Sequence, residues 1–376
     1  MKTTFVIKAC ACALCCLCAC TSTHDKNANT ISLEVDYNEM ADFVSTRNIL
    51  IPEDMEVVRL CNDSVSIGLV KAFKTTGERF YILNETSSAI YVFGNDGELK
   101  STINRYGNAG NEYSDITDFC VSDSDIYILD QNKQKIHHLL TDGRYIEHID
   151  ISSIWGNQIF SVDNTLYIVN NASDTDYGKY HLFKIGKDKI EPFLPFSTAA
   201  GLYMIKSHAG KYVFTREDNT LYEIEDGSPK EILTLDFGMY SLPDFLKGAD
   251  AMQLLRDGAP DKYALGVERI ETDGERVFLY CDVKSVPKVI VYDSNRNEIV
   301  EFCSGFKNDI FLNIGLMRYS IYGKNLYDFY YADELSVILE NLDETTLSEG
   351  DKKFKRQLQS ELSYDDNPVI FKYRMQ

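Results

Sequence analysis

The side chains able to do chemistry in this 376-residue chain are few and scattered. It has no GxSxG nucleophile elbow, no HExxH zinc helix, no phosphate-binding P-loop and no GxGxxG dinucleotide turn. The six histidines are His24, His137, His138, His148, His181 and His208. Only His137 and His138 adjoin, and neighbours on a strand point to opposite faces, so the pair is badly placed to share a metal. Both read as surface histidines. Asp174, Thr175 and Asp176, with Asn170 and Asn171 upstream, supply oxygens of the kind Ca²⁺ takes, but without EF-hand spacing or a closing glutamate they read as a solvated loop. The Gly107–Tyr113 loop could cradle an anion on its N–H groups, or its glycines could simply permit a tight turn. No metal and no cofactor is expected.

A repeated constellation is more informative. Phe80-Tyr81-Ile82-Leu83-Asn84 returns at an offset of 46 as Ile126-Tyr127-Ile128-Leu129-Asp130, and Asp96-Gly97 returns at the same offset as Asp142-Gly143. Further copies end at Asn170, Arg216, Cys281 and Tyr330, spaced 40, 46, 65 and 49 apart. Asn84, Asp130, Asn170 and Arg216 would therefore stand at one end of successive units, ringing the mouth of a central channel. Arg105, Glu112 and Tyr113 would lie in a loop on that side. An arginine fork and a tyrosine plane on a concave polar rim suit a small ligand. The same Asn and Asp could instead satisfy turn amides.

The elements that must position these residues are strands. Each unit of 40–50 residues holds four strand signals, such as Ile116–Val121, Asp125–Asp130, Lys135–Leu140 and Tyr145–Ile151, separated by turn residues. Four strands per unit make a β-propeller blade, and six copies make an all-β, six-bladed β-propeller. A β-sandwich would not explain the fixed register. The last unit lacks a strand, and the N-terminal segment Met55–Leu60 should supply it by pairing with Pro368–Tyr373. Short helical insertions are expected. One starts at Ser241-Leu242-Pro243, with Phe245, Ala249 and Met252 on its face. Two more carry Leu335, Ile338, Leu339 and Leu342, and then Phe354, Leu358 and Leu362.

Residues 1–19 read as a secretory signal, with Lys2 and Lys8 before a short apolar run. Leu17-Cys18-Ala19-Cys20 closes that run and looks like a bacterial lipobox, which makes Cys20 the expected lipidation site and mature N-terminus. Residues 20–30 read as a flexible tether and 31–376 as the propeller. Cys61, Cys120, Cys281 and Cys303 each adjoin apolar strand residues and read as buried thiols, with Cys281 and Cys303 the best disulfide candidate. The formal charge of −20 argues against nucleic acid as a partner.

Val57-Val58-Arg59-Leu60, Arg105–Tyr113 and Asn367–Tyr373 resemble the entry strand, Gly-rich loop and closing strand of the NHL-repeat-like six-bladed β-propeller lipoproteins of Gram-negative bacteria. Asn111 stands where that family usually has proline, and the fourth and fifth units match weakly. The resemblance covers roughly residues 31–376 and implies a lipid-anchored protein of the cell envelope, outer-membrane, periplasmic or surface-facing. It brings no catalytic residues with it. The expected function is a membrane-anchored module that binds a glycan, peptide or partner protein. A propeller lyase or hydrolase and a structural envelope component are the alternatives.

Overall fold

The computed structural model describes residues 29–32, 44–61, 65–122, 124–170, 175–187, 189–196, 206, 208–215, 218–246, 249, 251–307, 310, 312, 314, 316 and 318–376. Within them the strands form six antiparallel blades. Blade one is Val70–Thr75, Arg79–Asn84, Ala89–Gly94 and Leu99–Ile103; blade two is Asp118–Val121, Asp125–Asp130, Lys135–Leu140 and Tyr145–Asp150. Blade three is Gln158–Val162, Thr165–Val169, Tyr180–Ile185 and Ile190–Pro195. Blade four is His208–Ala209, Tyr212–Thr215, Thr220–Glu225 and Ser228–Asp236; blade five is Ala264–Thr272, Arg276–Val283, Val286–Asp293 and Glu298–Cys303. Blade six is Arg318–Tyr322, Asn325–Tyr330, Val369–Met375 and, from the other end of the chain, Leu50–Arg59. First strands of neighbouring blades lie side by side around the axis, and Arg318–Tyr322 returns to contact Val70–Thr75, closing the ring.

Period-two alternation builds the core. In the second strand of blade one, Phe80 and Ile82 join the apolar cluster shared with blade six, while Tyr81 and Leu83 join the one shared with blade two. Every blade is thus buried on both faces, which is why its strands read as nearly continuous apolar runs. Equivalent clusters fill the other blade interfaces.

The closing strand is longer than Met55–Leu60. Leu50–Arg59 pairs antiparallel with Val369–Met375, from Val369↔Arg59 to Met375↔Leu50. Asn367 locks the junction. Its Oδ1 accepts from Ile67 N at 2.7 Å, and its Nδ2 donates to the carbonyls of Cys61 and Val65 at 2.7 and 2.8 Å.

Between the second and third strands of blade six lie α2 (Ala332–Asn341) and α3 (Glu349–Glu361), which bury Leu335, Leu339 and Leu358 as their spacing predicts. The insertion after blade four differs from expectation. Its helix α1 spans only Ala251–Arg256 and is preceded by i→i+3 turns from Pro243 to Leu246 and from Leu246 to Ala249. Leu246, Ala249, Leu254 and Ala259 form its small core, whereas Phe245 and Met252 are 77% and 67% exposed. Gly248 falls inside the helix read from sequence, where glycine costs about 1 kcal/mol relative to alanine.

Asn29–Ser32 adds a parallel fifth strand to blade four, so residues 29 and 30 of the stretch read as tether pair with a blade. The signal segment and Cys20 lie outside the described residues. Cys61, Cys120, Cys281 and Cys303 are free. Cys281 and Cys303 belong to the second and fourth strands of blade five, two strand spacings or about 10 Å apart, which is too far for a disulfide. No described helix is long and apolar enough to cross a membrane.

Candidate ligand-binding face

Strand direction alternates within a blade, so second-strand ends, fourth-strand ends and the loops to the next blade share one face of the ring. Asn84, Asp130 and Asn170 do sit at equivalent points there, but they are buried and their polar atoms serve their own turns. Asn84 Oδ1 accepts from Ser87 N and Oγ. Asp130 accepts from Ser114 N at 2.7 Å and Lys133 N at 3.0 Å. Burial alone would raise its carboxyl, but the His137 ring 3.8 Å away and hydrogen bonds from the Ser114 and Lys133 amides hold it below the ordinary value. Asn170 Nδ2 donates to Tyr180 O. Arg216 lies outside the described residues.

The 105–113 loop is likewise self-contained. Tyr113 is buried, and its hydroxyl accepts from Arg105 N and donates to Ser88 O. Burial pushes that phenol up to about 12. Glu112 Oε2 accepts from Ala109 N, and Gly107 N donates to Tyr113 O, so the loop's own carboxylate occupies the place of the anion considered above. Arg105 Nε donates to Asn111 O, and its guanidinium lies 5.7 Å from the Tyr145 ring centre. Tyr113 and Arg105 are thereby fixed to the loop and to blade two. His137 is not a surface residue: it is buried edge-on against Tyr113, while His138 on the opposite face meets Asp125 at 2.6 Å.

Among the described residues this face carries a cavity of ≈250 Å³ between blades five and six. Tyr280, Asp282 and Lys288 line it beside the second-to-third strand turn of blade five, Ser304–Phe306 line it from the end of the fourth strand, and Tyr319 lines it from blade six. Two β-bulges in the first strand of blade five, between Ala264 and Arg269, re-aim its side chains here, and Glu268 at the second reaches the cavity wall. Tyr319 hydroxyl donates to Tyr280 hydroxyl, and burial drives both phenols well above their ordinary value.

Behind that wall a charged cluster faces the ring axis. The Arg269 guanidinium is packed between the Tyr280 and Tyr319 rings, 5.1 and 4.4 Å from their centres. Glu271 is buried and receives Lys206 Nζ at 2.9 Å and Arg269 Nε at 3.1 Å. Burial pushes its carboxyl up, but those two cations outweigh it and hold the group ionised below the usual range. Nearby, Lys74 pairs with Asp118 at 2.6 Å. His208 stacks on Phe160 at 4.4 Å between centres. Desolvation, with Lys74 and Lys206 near, lowers its imidazole well below 6.5. Sequence reasoning missed this group. Its signals were Arg269 and Glu271 two apart on an inner strand, hence on one face, and a lone Lys288 inside the apolar run Val286–Tyr292. Among the described residues no group of three or more His, Cys, Asp or Glu could hold a metal ion.

These features define a six-bladed β-propeller with a polar-aromatic cavity on its loop-bearing face. The chain belongs to the family described as Domain of unknown function (DUF4934), which it matches over residues 29–374. In structure it is similar to a candidate exported protein of Bacteroides fragilis, at 16% identity and a TM-score of 0.67, with 93% of this chain and all 100% of that chain covered. A member of the DUF4221 family from Bacteroides vulgatus is more distant, at 11% identity and a TM-score of 0.48 over 87% of this chain and 97% of that one. No curated protein matches the chain in sequence.

Proposed function

We propose that the chain is an exported, lipid-anchored binding propeller that presents the blade five–six cavity to a small ligand or to the tip of a glycan or peptide. The cavity carries this reading: it is concave, walled by Tyr280, Tyr319 and Phe306, and set with a few polar groups, as ligand sites usually are. Export is supported by the apolar run before Cys20 and by the description of the Bacteroides fragilis relative. Lipidation rests on Leu17-Cys18-Ala19-Cys20, and NHL-like kinship on the entry-strand and closing-strand residues.

The test has two arms. Palmitate labelling should mark the wild-type protein and not Cys20→Ala; label retained in the variant would end the lipoprotein reading. The soluble chain from residue 21 onward, applied to glycan and peptide arrays, should return ligands that Tyr319→Ala binds about 10-fold or more weakly. Array ligands bound equally well by a folded Tyr319→Ala would move the site elsewhere on the ring.

A further inference from the structure

We infer that the blade five–six cavity takes a small carboxylate bearing a hydroxyl or amino group, with Lys288 as the counter-charge to that carboxylate. This rests on the reading of the cavity as a binding site and adds the chemistry of what it binds.

Lys288 is 2% exposed and lines the cavity from the third strand of blade five. Its Nζ donates to Ser304 Oγ at 2.7 Å and lies 6.0 Å from the Phe302 ring centre. Among the described residues it forms no ion pair. The neighbouring Cys281 and Cys303 cannot neutralise it, because burial pushes their thiols up to about 12 and about 11 and keeps them protonated. The other buried lysine among the described residues is treated differently: Lys355 pairs with Glu344 at 3.0 Å. A buried ammonium left without an anion is costly, and burial accordingly pushes Lys288 below the usual lysine range.

The missing anion has a place to sit, since the cavity lined by Lys288 and its partner Ser304 is open space of ≈250 Å³. A carboxylate there would accept from Lys288 and could also accept from Ser304. Glu268 and Asp282 line the same cavity, so a ligand with several negative charges would be repelled. They suit a hydroxyl or ammonium on the same molecule, and the Tyr280 and Tyr319 rings suit its carbon skeleton. The predicted ligand is therefore compact and carries a single carboxylate, as a hydroxy acid, amino acid or sugar acid does.

Lactate and lactamide separate charge from shape, because they differ only in carboxylate against amide. Binding to the soluble chain would be measured by calorimetry, with thermal unfolding at equal concentration and ionic strength as the second readout. Wild type should prefer lactate by about 10-fold to 100-fold, the range of a charge-assisted hydrogen bond. Lys288→Met should lose the preference while melting at or above the wild-type temperature, since it replaces a lone buried charge with an apolar group of similar length. Lys288→Arg keeps the charge, should keep the preference, and stands in should the methionine variant fail to fold. Equal binding of lactate and lactamide by wild type, or a preference that survives in Lys288→Met, overturns the carboxylate assignment. Either result leaves the Tyr319 array test standing, so the two readings fail separately.

Discussion

Asn367 shows how much one side chain can hold. It satisfies one amide and two carbonyls of the 61–67 segment, about 300 residues away in the chain. Asn367→Ala would strand those groups in a buried junction, at about 1–3 kcal/mol for each one left unpaired. For three groups that comes to about 3–9 kcal/mol, read as a lower urea midpoint; an unchanged midpoint would mean water replaces the side chain. His208 gives a pH test. Its imidazole titrates below 6.5 in the folded chain and near 6.5 when unfolded, so between those values the unfolded state holds more protons. Stability should therefore fall as pH drops below 6.5, and His208→Phe should fall less steeply; parallel curves would clear His208 of the effect. Residue roles were the least legible part of the sequence. Asn84 and Asp130 were visible as repeat positions, yet only their burial shows that their polar atoms go to turns. Lys288 was a polar residue in an apolar run, and nothing in one dimension brings Ser304 to it.

At the scale of elements the alternation of apolar residues carried most of the information. Strands buried on two faces repeat the same signal six times, and the Asp-Gly turns mark register. Asp96 accepts from Glu98 N and Asp142 from Arg144 N, so the two turns use the same chemistry. Their glycines nonetheless differ in what surrounds them. Gly97 has φ +79°, and a Cβ there would lie 2.1 Å from Arg59 O, in the closing strand. Gly143 has φ +86°, and its nearest neighbour would be 3.5 Å away. Gly143→Ala should cost about 1 kcal/mol of backbone strain, and Gly97→Ala clearly more. Equal losses in thermal unfolding would show that Arg59 moves aside. The insertion after blade four was misread because its apolar residues fit a helical face while the chain takes short turns from Pro243 to Leu246 and from Leu246 to Ala249. Blade four was faint because its first strand is only His208–Ala209 and gives periodicity little to act on.

For the whole molecule, the clasp was legible because the last unit visibly lacked a strand and the N-terminal segment offered one. Its length was not, since Leu50 and Ile51 pair past a bulge between Lys372 and Arg374 that no local pattern announces. Removing residues 368–376 should take out a strand from between Asn325–Tyr330 and Leu50–Arg59 and leave both edges bare. Aggregation or a melting temperature several degrees lower is expected, and a truncated chain that melts like the full one would refute the clasp.

The same feature sets an order in time. Val369–Met375 follows every other described blade strand in the chain, and Leu50–Arg59, which precedes blade one, has no partner in its blade until that strand arrives. Five blades can assemble from local hairpins while the ring remains an open arc. Joining positions about 300 residues apart must come last, and such distant pairing is slow. Until then the apolar side of Leu50–Arg59 lacks its cover, so a growing chain depends on whatever shields that strand until Val369–Met375 emerges.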